Sequence, residues 1–166
     1  AAQEREGPNE STVLGIIAAL VILYILFRAF TPTVLPIASA MSGLAIGFAV
    51  IYSMTAAIDL SKFAPNIAAM LGLGVGIDYS LFVINRYREA MRHGRDPRAA
   101  ALESVRTSGR AVQFAALTVI IALLGLFVMR IEFFNGIAVS AAITVFMVML
   151  GALLLLPSVL SLLGSW

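Results

Sequence analysis

Asp78 is an ionisable residue deep within an apolar stretch that runs from about Ile67 to Asn85. On a helix axis it would stand about 16 Å from Ile67, close to the middle of a bilayer core about 30 Å thick. A charged carboxylate at that depth costs at least about 2.5–3.5 kcal/mol on insertion scales, and such residues typically mark proton relays or ion pathways. The alternative is a neutral carboxyl that only hydrogen-bonds to a neighbouring helix.

Tyr79 follows Asp78 and offers a phenol, which can donate a hydrogen bond to a carboxylate or accept one from its protonated form. Because successive helix residues are about 100° apart, Tyr79 would more easily meet a carboxylate from another helix than that of Asp78. Ordinary packing with a satisfied hydroxyl explains a tyrosine here equally well. We predict that Asp78 and Tyr79 form a proton relay.

Glycines surround this position on the same helix. Gly72 and Gly76 have the small-xxx-small spacing that allows helices to approach closely, and they lie on a face away from Asp78. Gly74 lies near the Asp78 side, so we predict that neighbouring helices pack on two sides of the relay. Asn85 shares the Asp78 face and would either extend a polar track or hydrogen-bond another helix.

The composition indicates a membrane protein. Of 166 residues, 61% are hydrophobic and only 12% are charged, against roughly 25% charged in soluble domains. The mean hydropathy is +1.00. These values exclude a disordered chain, and the absence of cysteine excludes a disulfide scaffold. The basic residues are too few for a nucleic-acid-binding surface, so no nucleic-acid partner is expected.

Five apolar stretches are long enough to be membrane helices, which need about 20 mostly apolar residues. They run over about 13–30, 34–58, 67–85, 111–129 and 134–156. Strands of a membrane barrel would be shorter and would alternate in polarity. The sequence therefore predicts an all-α, polytopic membrane bundle of five transmembrane helices.

Arginines concentrate in the connection 86–110, which we expect to be cytoplasmic because Lys and Arg near membrane ends stay on that side. With five spans, the N-terminus is then extracytoplasmic and the C-terminus cytoplasmic. Asp96-Pro97 is typical of a helix start, and we predict a short amphipathic helix over 97–107, ended by Gly109. His93 lies alone in this loop, so no metal or cofactor is expected.

The first residues differ in character from the rest. Residues 1–12 are mostly polar and are interpreted as an extracytoplasmic lead-in from a missing domain. Residues 13–166 are interpreted as the five-helix transmembrane domain. We expect the chain to be a piece of a larger protein of the cell (inner or plasma) membrane.

Several short motifs of the sequence resemble those of a known transporter family. Residues 72–82 (GLGVGIDYSLF) with 86–89 (RYRE) resemble the fourth helix of the mycobacterial membrane protein large (MMPL) transporters, of the resistance-nodulation-division superfamily. Residues 94–97 (GRDP), 107–112 (TSGRAV) and 118–122 (TVIIA) look like the inner loop and fifth helix of the same family. The resemblance covers most of the chain.

The resemblance implies an architecture and a mechanism. Family members have two similar halves of six membrane helices, each with a large extracytoplasmic domain after its first helix. The chain resembles helices two to six of one half, and the Gly-x-Gly-x-Gly-x-Asp-Tyr form favours the N-terminal half. In the family, an Asp-Tyr pair in each half couples proton flow to export, and Asp78 and Tyr79 match one pair. The second pair is absent, so the chain alone should not transport.

Three functions stay open at this point. The leading hypothesis is the membrane domain of a proton-driven exporter of lipids or other hydrophobic molecules, whose partners are protons, the bilayer and the missing second half. The alternative is a sterol- or lipid-sensing module without transport, since the same block corresponds to the sterol-sensing domain of Patched-like relatives. An intramembrane aspartyl protease is a minor alternative, because Asp59 is predicted outside the membrane and leaves Asp78 without a catalytic partner. We do not expect the protein to be an enzyme.

Overall fold

Long apolar helices dominate the computed structural model, which describes Val21, residues 30–54 and residues 63–163. Within these ranges, four helices are long and apolar enough to cross a membrane, and no strand occurs. They support a multi-pass membrane location. The first predicted span, 13–30, lies almost entirely outside the described residues, so five spans stay a prediction.

The helices are labelled in chain order. Helix α1 covers Phe30–Met54, α2 covers Ala64–Arg92, and α3 covers Pro97–Leu124. Helix α3 continues as a 3₁₀ segment, Gly125–Met129. Helix α4 covers Glu132–Leu150 and passes through a π-helical segment, Gly151–Leu155, into α5, Leu156–Leu163.

The predicted loop 86–110 is largely helical, which corrects the sequence interpretation. Helix α2 continues to Arg92, so only residues 93–96 connect it to α3. Gly94 has a positive φ of 78°, and its N–H donates to the Met91 carbonyl at 3.0 Å. The Arg95 N–H donates to the Ala90 carbonyl at 3.3 Å. These bonds form a Schellman motif, which ends α2 sharply and lets α3 begin at once.

The short amphipathic helix predicted over 97–107 does not exist as a separate element. A helix does begin at Pro97, but it runs through Gly109 without a break to Leu124. A glycine inside a helix costs only about 1 kcal/mol relative to alanine, which a long helix tolerates. Gly109 is also buried, and a Cβ there would lie 3.9 Å from Leu153 Cδ2, so this position packs against the segment after α4.

Helix α4 occupies the centre of the compact unit Leu35–Trp166. A Cβ placed on Gly43 of α1 would lie 2.8 Å from Val148 Cα, and one on Gly47 would lie 3.4 Å from Thr144 Cα. Helix α2 presents Gly72 and Gly76 to the same two α4 residues. Glycines on α1 and α2 thus bring both helices against one stripe of α4. This packing fixes the rotation of α2 about its axis.

Candidate functional site

Asp78 lies at the midpoint of α2 and on its exposed face. Phe82, Gly74 and Asn85 share that face. Among the residues that the structure describes, nothing forms a hydrogen bond or an ion pair with the Asp78 carboxyl. An acidic group therefore stands halfway along a span with its oxygens available to a group outside this helix block.

Glycine contacts turn Asp78 outward. A Cβ on Gly72 would clash with Thr144 Cγ2, and one on Gly76 would clash with Val148 Cγ1 and lie 2.9 Å from Ala40 Cβ. Real Cβ atoms do not approach neighbours this closely, so both positions require glycine or a shift of the helices. With this side of α2 against α4 and α1, Asp78 necessarily faces the opposite way.

Gly74 and Asn85 do not make the predicted contacts within the described ranges. Nothing there lies within 4 Å of a Cβ built on Gly74, and both residues are exposed on the Asp78 face. The packing at Gly74 and the polar track through Asn85 stay predictions. Either would require a partner from beyond the described residues.

Tyr79 is anchored in the core beside Asp78. Its side chain is only 8% exposed and belongs to a buried cluster with Val83, Val112 and Val145. Its hydroxyl has no hydrogen-bond partner in the described part of the chain. The ring is therefore held by packing, while the hydroxyl keeps its hydrogen-bonding capacity.

Asp78 and Tyr79 both line a groove of about 250 Å³ between α2 and α3. The other lining residues are Phe82, Ala111, Val112 and Ala115. A carboxyl-bearing residue and a phenol-bearing residue thus border one small, open groove whose lining is almost entirely apolar. Once another segment covers the groove, such a lining would strengthen any hydrogen bond or charge interaction made there.

The α3 wall of this groove was missed by the sequence interpretation. Ala111 and Ala115 have the same small-xxx-small spacing as the glycines, which was the available signal. Beyond the groove, α3 presents large apolar side chains outward, with Phe114 73%, Leu117 54% and Ile121 67% exposed. The candidate site therefore lies on an outer apolar face of the helix block, open to lipid or to another membrane segment.

Comparisons with known proteins identify a family and several relatives. The MMPL family model matches residues 4–166. The chain is 37% identical, over 98% of its length, to the Bacillus subtilis protein named Membrane protein YdfJ. It is 30% identical over 88% to the Mycolic acid-containing lipids exporter MmpL11 of Mycolicibacterium smegmatis. It is 29% identical over 92% to the Trehalose monomycolate exporter MmpL3 of Mycobacterium tuberculosis.

The matched regions cover 22%, 15% and 16% of these three relatives, so the chain spans less than a quarter of each. The family match covers nearly the whole chain, and the described helices agree with a membrane domain. This chain belongs to the MMPL family of membrane transporters.

Proposed function

We propose that the chain is the transmembrane domain, helices two to six of the N-terminal half, of an exporter driven by the proton-motive force. The observation that carries this proposal is the exposed Asp78 carboxyl at the midpoint of α2, beside the Tyr79 phenol in one groove. Within the described residues the Asp78 carboxyl has no hydrogen-bond or ion-pair partner, so it is available to a partner that lies outside them.

The proton step uses the two side chains in different ways. Asp78 takes up a proton from one side of the membrane and releases it to the other. Tyr79, held rigidly by the core, hydrogen-bonds a carboxylate that the second half of the transporter brings to the groove. Each group then has a partner only when the two halves are assembled.

Protonation changes which packing of the halves is favoured. The ionised carboxylate is costly in an apolar contact unless it is paired or hydrated. The protonated form removes that charge and allows the apolar faces of α2 and α3 to close against the second half. The two arrangements of the halves then differ in proton affinity. A proton gradient can drive a transport cycle when the cargo also binds the two arrangements with different affinity.

The proposed cargo is a lipid or another hydrophobic molecule. Two of the relatives carry names that specify export of mycolic acid-containing lipids and of trehalose monomycolate. The arginine-rich ends of α2 and α3 are proposed to face the cytoplasm, as the positive-inside rule predicts. Export then moves cargo away from that side.

The test is Asp78→Asn in the full-length protein, reconstituted in liposomes with an imposed pH gradient and a fluorescent lipid cargo. The substitution preserves size and removes only the titratable proton, so folding should be retained. We expect gradient-driven export to fall to the background of empty liposomes. Asp96→Asn is the matched control, because Asp96 lies in the connection before α3, and it should export normally. Export at the wild-type rate by Asp78→Asn contradicts the proposal.

A further inference from the structure

A second groove lies on the other side of α3, near its arginine-rich end. Its volume is about 420 Å³, within the range of about 300–1,000 Å³ that is usual for small-molecule sites. It lies between α3 and the segment where α4 passes into the π-helical turn. The lining residues that matter here are Arg106, Arg110, Gln113, Met149, Leu150 and Leu153. None of them lines the Asp78 groove.

The polar rim of this groove is cationic. Arg106 and Arg110 are exposed and lie one helical turn apart, a spacing at which like charges repel. Neither forms an ion pair within the described ranges, whereas Arg86 pairs with Glu89 at 2.8 Å and Arg95 with Glu103 at 3.3 Å. An anion placed between Arg106 and Arg110 would relieve that repulsion and accept hydrogen bonds from both.

Beyond the arginines and Gln113, the groove is lined mainly by apolar side chains. Gln113 lies about 4.5 Å further along α3, at ~1.5 Å per residue. The opposite wall consists of Met149, Leu150 and Leu153, the last of which belongs to the π-helical segment. Such π-bulges occur frequently at functional sites. Gly109 also lines the groove and, having no side chain, leaves it open.

We propose that this groove, between α3 and the segment after α4, binds an anionic phospholipid. The phosphate would lie between Arg106 and Arg110, whose guanidinium groups can bind phosphate oxygens in pairs. The acyl chains would pack along the partly buried Leu150 and the exposed Leu154, which both line the groove. Basic pockets between membrane helices recognise acidic headgroups through this combination of charge and apolar surface. The site is independent of the proton relay, which lies on another face of α3.

The experiment compares two double variants of the full-length protein in nanodiscs, each titrated with fluorescent phosphatidylglycerol and fluorescent phosphatidylcholine. Arg106→Gln with Arg110→Gln removes the rim of the groove. Arg92→Gln with Arg98→Gln removes the same charge from exposed arginines that do not line it. We expect the first pair to lower the preference for phosphatidylglycerol at least about tenfold more than the second pair, because only the first loses charge-assisted hydrogen bonds to the phosphate. The second pair should remove only the general attraction of exposed arginines to an anionic surface.

Two further measurements keep the outcome decisive. Leu150→Trp fills the apolar part without changing charge and should weaken phosphatidylglycerol binding, which covers the case in which the double variant does not fold. Glycerol phosphate, which lacks acyl chains, should compete poorly. The proposal is overturned if both double variants lose the preference equally, if the groove pair keeps it, or if glycerol phosphate competes as well as the lipid.

Discussion

Asp78 and Tyr79 are adjacent in sequence and line one groove, yet Asp78 is exposed while Tyr79 is only 8% exposed. Packing of Tyr79 into the core fixes one wall of the groove. The neighbouring Asp78 carboxyl stays accessible to a group from outside this helix block. The pair therefore combines a rigid phenol with an accessible acid.

Tyr79→Phe should preserve the fold and impair transport. The ring keeps its place in the buried cluster, but the hydroxyl that would bind the opposing carboxylate is lost. A hydrogen bond to a charged group contributes about 1.5–3 kcal/mol, so proton-driven transport should fall by roughly tenfold to a hundredfold. Tyr52→Phe is the control, because Tyr52 is 62% exposed on α1, outside the groove. Equal transport rates for the two variants would show that Tyr79 does not take part in the proton relay.

Gly76→Ala and Gly74→Ala should have opposite effects on stability. An added methyl group at Gly76 meets Val148 and Ala40, and such overpacking typically costs about 1–3 kcal/mol. At Gly74 the methyl group meets nothing among the described residues, and alanine favours the helix by up to about 1 kcal/mol. Thermal unfolding of the purified protein should show a lower midpoint for Gly76→Ala only. Similar unfolding midpoints for the two variants would show that the contact of α2 with α4 does not fix the rotation of α2 about its axis.

Ser80→Ala should stabilise the domain or leave its stability unchanged. Ser80 is fully buried, and its hydroxyl has no hydrogen-bond partner in the part of the chain described. A buried unsatisfied polar group is unfavourable by about 1–3 kcal/mol, so removing it should raise the unfolding midpoint. Ser104→Ala is the comparison, since Ser104 donates to the Ala101 carbonyl at 2.7 Å. If Ser80→Ala instead lowers stability or transport, this hydroxyl has a partner in the complete protein.

Gly94→Ala should loosen the connection between α2 and α3. The positive φ of 78° at Gly94 is unfavourable by about 1–2 kcal/mol for a residue with a Cβ. Gly94→Asn should be milder, because asparagine adopts this conformation more readily. Limited proteolysis between residues 93 and 96 measures the difference, with faster cleavage expected for alanine than for asparagine. Identical cleavage of both variants and the wild type would contradict this assignment of the turn.

Apolar stretches in the sequence located the described helices but not their ends. The stretch 67–85 corresponds to a helix over Ala64–Arg92, because the arginine-rich end continues as helix beyond the apolar part. The same charges led to the prediction of a loop. Hydropathy reports where the chain meets lipid, whereas helix termination depends on local backbone geometry such as that at Gly94.

The candidate site was only partly predictable for a related reason. Asp78 could be recognised from one helix alone, since its position in an apolar stretch is a local property. The groove also needs Ala111 and Ala115 of α3, and only the tertiary contact between α2 and α3 brings them to Asp78. The outward direction of Asp78 likewise depends on Gly72 and Gly76 meeting α4.

Proton flux during transport tests the central claim most directly. The full-length protein would be reconstituted in liposomes containing a pH-sensitive dye, and the internal pH followed after cargo is added under an imposed pH gradient. We predict cargo-dependent proton movement for the wild type and none above the empty-liposome leak for Asp78→Asn. Cargo-dependent proton movement of wild-type size in Asp78→Asn would show that the proton does not pass through Asp78.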